Sequence, residues 1–475
     1  MQRPLYITTS IPYVNAKPHV GFALELVQAD VLARYARLVG RPVRFQTGTD
    51  ENAFKNVQAA EQAGVPTQAF VDENAERFRT LVDALNVSAD DFIRTTEPRH
   101  RVGVHTFWNA LRPGDVYPHD YTGLYCQGCE DFFLPRDLED GKCPEHKASA
   151  TAVSERNYFF RLSAYADAIE HDLTSGHPGV IPATRLREVL SFVRGGLLDF
   201  SVSRDATRTK GWGTSVPGDD DQRVYVWVDA LINYLSALGY GRDDDWRRWW
   251  SDDVEKVHVI GKNVWKFHAV YWPALLASAG LPRPDRLLVH GFVTVDGQKV
   301  GKSLGNAVDP FAPIERFGSD AVRYYLLRAV PTFGDGDFSV ERLADLYTAD
   351  LANGLGNLVS RLATLGAKAG HVSHAPDGPV APLAGFVDAI ERYELDRAIT
   401  ILWSEIRHVN QSIEQNRPWE RDGQELEELI GRWLQSVRSI VYWLEPFLPD
   451  ASRRAGRVLF GGPLRKPAPL FPRLA

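Results

Sequence analysis

Residues 5–10 form one apolar run, residues 42–49 form a second, and a helical pattern separates them. That pattern starts near residues 18–21 and sets Leu24, Val27, Val31, Leu32 and Tyr35 at helical spacing. A further helical pattern covers 53–63. Strands that alternate with helices pair in parallel, because the crossover helix returns the chain to the same end of the sheet. The expected class is therefore α/β, with a Rossmann-like, doubly wound parallel sheet. Ligands of such sheets sit beyond the carboxyl ends of the strands, and the loops at 10–19 and 48–52 lie there.

Strand signals return at 224–228, 257–260 and 286–289, separated by helical stretches. Between 117 and 218 the pattern breaks into short strands, turns and a cysteine cluster, which reads as an insertion between two halves of one domain. The runs at 219–221 and 243–246 read as solvated loops. From 341 onward, residues 341–368, 382–416 and 424–448 carry helical periodicity, so an α-helical bundle is expected. The expected organisation is 1–116 and 219–340 for the two sheet halves, 117–218 for the insertion and 341–475 for the bundle. A chain of 475 residues fits roughly three domains of about 150 residues.

The chain is 44% hydrophobic and 24% charged, as ordinary globular proteins are. It has no apolar run long enough for a membrane span and no signal-peptide pattern at its start, so no membrane partner and a cytoplasmic location are expected. The net charge of −7 does not advertise a nucleic-acid binder, but binding needs only a local basic face.

All three cysteines fall in one cluster. Cys126 and Cys129 are followed by Cys143 and His146, giving C-x2-C and C-x2-H pairs. Thiolates and an imidazole at this spacing suit tetrahedral Zn2+, and four protein ligands make the role structural.

Two more segments carry chemistry. Near the N-terminus the chain reads Pro18-His19-Val20-Gly21-Phe22, just where a helix begins. A helix N-terminus offers unpaired N–H groups and the positive end of a dipole, which suits phosphate, and His19 can donate to the same oxygens. A histidine at such a place is, taken alone, more often structural. Far downstream the chain reads Lys299-Val300-Gly301-Lys302-Ser303-Leu304-Gly305-Asn306, two lysines in a chain where lysine is sparse.

Together these segments resemble the signature motifs of class I aminoacyl-tRNA synthetases, and the flanking residues resemble the methionyl-tRNA synthetase family. The order of parts is similar over essentially the whole length. The insertion is too short for the editing domain of the isoleucine, valine and leucine relatives. Both motifs are altered: the family's H-x-G-H stands here as H-V-G-F and its K-M-S-K-S as K-V-G-K-S. A third motif, T-G-T-D-E-H-G in the family, stands as Thr47-Gly48-Thr49-Asp50-Glu51-Asn52-Ala53.

The resemblance implies an ATP site of His19, Gly21, Phe22, Lys299, Lys302 and Ser303, with Mg2+ accompanying the ATP and His19, Lys299 and Lys302 in catalysis. Gly21 would leave room for adenine. Phe22 can pack against a base but cannot donate a hydrogen bond, and losing one such donor costs about 3 kcal/mol, or on the order of 100-fold in rate. The resemblance further implies a methionine pocket lined by Ile11, Tyr13, Trp227, Ala230, Tyr234 and His290, with Asp50 on the α-ammonium. Asp229 also matches the family. Asn357, Arg361 and Trp419, beside Arg417, match residues that read a tRNA anticodon, and Asn357 and Arg361 share one helix face.

The expected activity is ATP-dependent formation of an aminoacyl-adenylate, most simply from methionine, and transfer to tRNA. The rival keeps the activation and passes the aminoacyl group to a small molecule, as hydrazine-forming paralogues do with a zinc cupin, which would here be a separate partner. The altered ATP motifs favour that rival and the anticodon residues oppose it. A non-catalytic tRNA-binding protein is a second rival, opposed by the retained lysines. A monomer is the default.

Overall fold

A computed structural model describes residues 3–126, 131–133, 138–144, 147–299, 308–374 and 380–474. They group into two compact units: Met1–Pro18, Pro42–Thr80 and Ala89–Val289 in the first, and His19–Arg41, Leu81–Ser88 and His290–Ala475 in the second.

The first unit is built on six strands: β1 (Leu5–Thr9), β2 (Val43–Thr49), β3 (Asp91–Arg94), β4 (Gly179–Ile181), β5 (Glu255–Gly261) and β6 (Arg286–His290). Their order is β3-β2-β1-β5-β6-β4. β1 pairs in parallel with β2 and with β5, Leu5 lying opposite both Val43 and Glu255. The direction of winding reverses between β1 and β5, so the loops after β1, β2 and β5 open at the switch point where such sheets hold ligands. Tyr6, Ile7, Phe45, Ile260, Leu287 and Val289 are fully buried, as expected for a sheet covered on both faces.

Four expectations need correcting. Residues 224–228 are not one strand: Val224 ends a strand and the run then enters helix α3 (Val226–Leu231), which comes after helix α2 (Pro98–Ala110) in chain order. A short apolar run is compatible with either element, and only its neighbours decide. The acidic run at 219–221 is not a loop but the start of strand Asp219–Val224, which pairs with Ser203–Asp205 while burying Gln222 and Val224. The stretch before 218 is also more regular than expected. Helices Ala166–Ser175 and Ala183–Arg194 flank β4, which joins the main sheet beside β6. The rest of that stretch includes a long antiparallel ribbon, Val116–Cys126 with Thr151–Phe160. Trp246, in the other run read as solvated, is 5% exposed.

The second unit contains helix α1 (Val20–Leu38) and a helical C-terminal region. Helices α4 (Asn357–Lys368), α5 (Leu395–Asn416), Gly423–Leu444 and Pro449–Phe460 form the bundle. Wide π-type turns over Tyr347–Gly356 lead into α4, and a two-stranded ribbon, Val372–His374 with Gly461–Pro463, is an addition to the expected helices. Asp30 on α1 is fully buried and holds Arg34 at 2.8 Å and Arg323 at 2.7 Å. Burial alone would raise its carboxyl, but the two guanidiniums and Ser88 hold it below the usual carboxylate range. Among the described residues no helix is long and apolar enough to cross a membrane.

Candidate functional site

In the first unit, the loops after β1 and β2 meet through the backbone. Asp50 N–H donates to the Pro12 carbonyl at 2.9 Å, and Tyr13 and Asp50 form a parallel bridge. The Tyr13 ring lies 5.8 Å from Trp227, and Trp227 stacks on Phe267 at 4.0 Å with the planes 6° apart. Ile11 is half-buried and Ala230 is buried. Trp227 Nε1 is buried with no acceptor among the described residues. Phe267 went unnoticed in the sequence because it sits among other aromatic and apolar residues that read as core.

Tyr234 is 1% exposed. Its ring stacks on His258 at 4.1 Å, and its hydroxyl is 2.8 Å from His268 Nε2. His268 Nδ1 faces the Val264 carbonyl at 3.0 Å. A carbonyl only accepts, so Nδ1 carries the proton and Tyr234 donates to Nε2. Burial pushes His268 down to about 4 and His258 well below the ordinary histidine range. Both are neutral near pH 7.

Asp50, Glu51 and Asn52 are all buried. Glu51 is clamped by Arg94, at 2.6 Å to Nε and 2.9 Å to Nη2, and by Thr49 at 2.8 Å. Its N–H donates to Thr95 Oγ1 at 2.8 Å, so the turn after β2 is fixed to the end of β3. Asn52, where the family has histidine, turns its amide onto Asp229 Oδ2 at 2.9 Å. Ala53 precedes helix Phe54–Ala63 and offers it no side-chain cap.

In the second unit, His19 caps α1. Its Nδ1 accepts the Gly21 N–H at 3.1 Å, which leaves the proton of a neutral ring on Nε2. Gly21 has a reason beyond leaving room for a ligand: a Cβ there would lie 2.9 Å from His19 Cε1 and 3.0 Å from Nδ1, under the capping ring. Phe22 is 7% exposed. His290 is buried, with Nε2 2.9 Å from Glu25 Oε2 and Nδ1 2.7 Å from the Gly291 carbonyl. Lys299 ends a short strand with Gln298, and Lys302 and Ser303 lie outside the described residues, as do Val300 and Gly301.

The same unit brings Asn357 and Arg361 of α4 to a groove of about 480 Å³, walled on α5 by Trp403, Asn410 and Glu414. Arg361 pairs with Glu414 there. Trp419, in the turn after α5, is 50% exposed, unusual for so large an apolar ring. Of the cysteine cluster, Cys126 and Cys143 are buried, at 1% and 0% exposed, while Cys129 and His146 lie outside the described residues. Lys147 N–H donates to the Cys143 carbonyl at 2.8 Å.

The family model for class I tRNA synthetases (M) matches residues 5–154 and 135–363. Methionine–tRNA ligase of Thermotoga maritima is 40% identical over 474 residues, covering 95% of this chain and 74% of that enzyme. That of Mycobacterium tuberculosis is 39% identical over 96% of this chain and 91% of its own. Among solved structures, M. tuberculosis methionyl-tRNA synthetase with methionyl-adenylate superposes with a TM-score of 0.90 at 35% identity, over 99% of this chain and all of that one.

Proposed function

The chain belongs to the methionine–tRNA ligases of the class I tRNA synthetases, and from that premise we propose that it activates methionine and charges tRNA with it. The methionine carboxylate attacks the α-phosphate of ATP, and pyrophosphate leaves. A hydroxyl of the tRNA's terminal adenosine then attacks the acyl carbon, and AMP leaves. No protein nucleophile takes part, so catalysis is positioning and charge stabilisation. Identity near 40% to methionine–tRNA ligases along nearly the whole chain carries this reading.

Residue roles follow from it. His19, with Nδ1 engaged by its own helix, offers Nε2–H to phosphate oxygens. Lys299, Lys302 and Ser303 supply the charge that closes over the departing pyrophosphate, and Gly21 and Phe22 border the adenine. Magnesium accompanies the triphosphate and offsets its charge. Ile11, Tyr13, Trp227, Ala230, Tyr234 and His290 line the methionine side chain, and Asp50 takes the ammonium. Because the Tyr234 hydroxyl donates its hydrogen bond to His268, toward any further group its oxygen acts as an acceptor. Asn357, Arg361 and Trp419 read the anticodon, two by hydrogen bonding and one by stacking.

Two buried thiols fit a structural Zn2+, and Cys126, Cys129, Cys143 and His146 would hold it. Bound there, the metal would tie the turns of the insertion together and supply no chemistry. A cytoplasmic location accompanies this reading.

Amino-acid-dependent ATP–pyrophosphate exchange, followed by charging of methionine tRNA, tests the proposal. Exchange with methionine and charged tRNA is the expected result. Exchange without charging would transfer the protein to small-molecule acylation.

A further inference from the structure

Asn52 stands between two carboxylates. Its backbone N–H donates to Asp50 Oδ1 at 3.2 Å, and its Nδ2 donates to Asp229 Oδ2 at 2.9 Å. The same amide nitrogen lies 3.2 Å from the Thr95 carbonyl and 3.3 Å from Thr214 Oγ1. His100, on α2, brings a second donor to Asp229 Oδ2, with Nε2 at 3.2 Å. Its Nδ1 faces Ser236 Oγ at 2.8 Å, so a ring that donates from Nε2 accepts the hydroxyl proton at Nδ1. All four side chains are buried, and Asp229 and His100 are fully so.

The two oxygens of Asp229 are treated unequally. Oδ2 has both donors; Oδ1 is buried and has none among the described residues. Among other buried carboxylates Asp320 also has an Oδ1 undonated among the described residues, and there burial raises the carboxyl to about 6. Two fully buried ones that hold the fold together are instead donated on both oxygens. Asp30 receives Ser88 on Oδ1 and arginines on Oδ2, and Glu51 receives donors on both oxygens. An undonated buried carboxylate oxygen is costly, so its place in a folded protein calls for a donor that arrives from elsewhere. Asp229 lies in α3 between Trp227 and Ala230, and Asn52 ties it to Asp50.

We propose that Asp229 Oδ1 accepts one N–H of the substrate's α-ammonium, as a second carboxylate beside Asp50, and that Asn52 and His100 are positioning residues that hold the two acids in register. The inference rests on the amino-acid-activating reading above. An ammonium has three donors and one positive charge, so it fills the unserved oxygen and relieves repulsion between the two acids. An analogue without the ammonium leaves that oxygen unserved. A site built on a buried polar group rejects such an analogue far more strongly than an apolar wall rejects a wrong side chain.

The test compares methionine with its des-amino analogue, 4-(methylthio)butanoate, in ATP–pyrophosphate exchange by the full-length protein. For Asp229→Asn, KM for methionine should rise roughly 10- to 100-fold with a smaller change in kcat, the range for a hydrogen bond to a charged group. The analogue's kcat/KM should hold, so discrimination collapses. His100→Ala should lower discrimination by a smaller factor, and His100→Gln, which keeps an N–H, should recover most of it. If both compounds weaken alike in Asp229→Asn, the carboxylate is structural and the proposal is overturned. Should that variant fail to fold, His100→Ala against His100→Gln carries the same comparison. A wild-type protein that exchanges with no amino acid defeats the underlying reading; one that exchanges while discrimination survives Asp229→Asn defeats only the proposal.

Discussion

The start of α1 and the turn after β2 each hold a residue that departs from the family's motif, and the two departures differ in kind. Phe22 replaces a histidine on α1 and is 7% exposed, on a helix whose following residue, Ala23, is also buried. Whatever that histidine donated, a phenyl ring cannot. Asn52 also replaces a histidine, yet its amide serves a carboxylate, a carbonyl and a hydroxyl. A position that packs against carbon tolerates loss of a polar atom; one that supports a buried anion does not. The altered motifs are therefore not one degenerate site but one lost donor and one substituted donor.

The contrast can be broken most forcefully at His19. His19→Ala should lower the rate of exchange on the order of 100-fold or more, as removal of an oxyanion-stabilising donor does. His19→Asn keeps a cap for α1 but not the Nε2 donor, so its rate should stay low while its thermal midpoint recovers. Full recovery of rate would reduce His19 to a helix cap.

Acid titration separates two buried groups, one in each unit. His268 titrates at about 4 when folded, against an ordinary value of 6.5. Its folded pKa is depressed, so its stability contribution is complete above about 6.5 and is lost as pH falls toward about 4. The loss amounts to about 3 kcal/mol. Asp320, in the second unit, is raised to about 6 by burial and has the opposite sign: protonation between about 6 and 3.8 relieves it. Because the two nearly offset, the wild-type urea midpoint should change little from these groups between pH 7 and 4, while that of His268→Gln should rise relative to the wild type as pH falls.

Asn52→Leu should cost about 2 kcal/mol in urea unfolding, because one of the two donors to a buried carboxylate disappears. Phe22→Leu, a change within the apolar environment, should cost less than about 1.5 kcal/mol. Equal costs would erase the distinction between the two positions. The smallest expected effect is that of Phe22→His: about a tenfold gain in exchange, short of the full value of a donor because the new imidazole must be buried at some expense in thermal stability. A lower rate would mean that the helix start has been rebuilt around phenylalanine.

How much of this was legible in the sequence depended on periodicity. β1, α1 and β2 follow a clean alternation of period, and the motif loops sit between them. The same cue failed at 224–228, where the apolar run into α3 is too short to have a period, and at 219–221, where charge masked a strand whose buried residues come later. His100 was missed because it stands among arginines and a glutamate. Its spacing to Gly103, Val104 and Phe107, all buried, is that of the inner face of α2 and would have revealed it. No local pattern could have announced the unequal oxygens of Asp229, since its partners lie at residues 52 and 100.

Asn52 also gives the molecule a built-in reporter. Its peptide N–H ends on a carboxylate rather than a carbonyl, in a residue only 8% exposed. Such a proton exchanges with deuterated solvent only when the turn opens, and its resonance is sensitive to the charge on Asp50. One labelled asparagine would therefore register, in a single peak, both the opening of this turn and the arrival of a cation beside it.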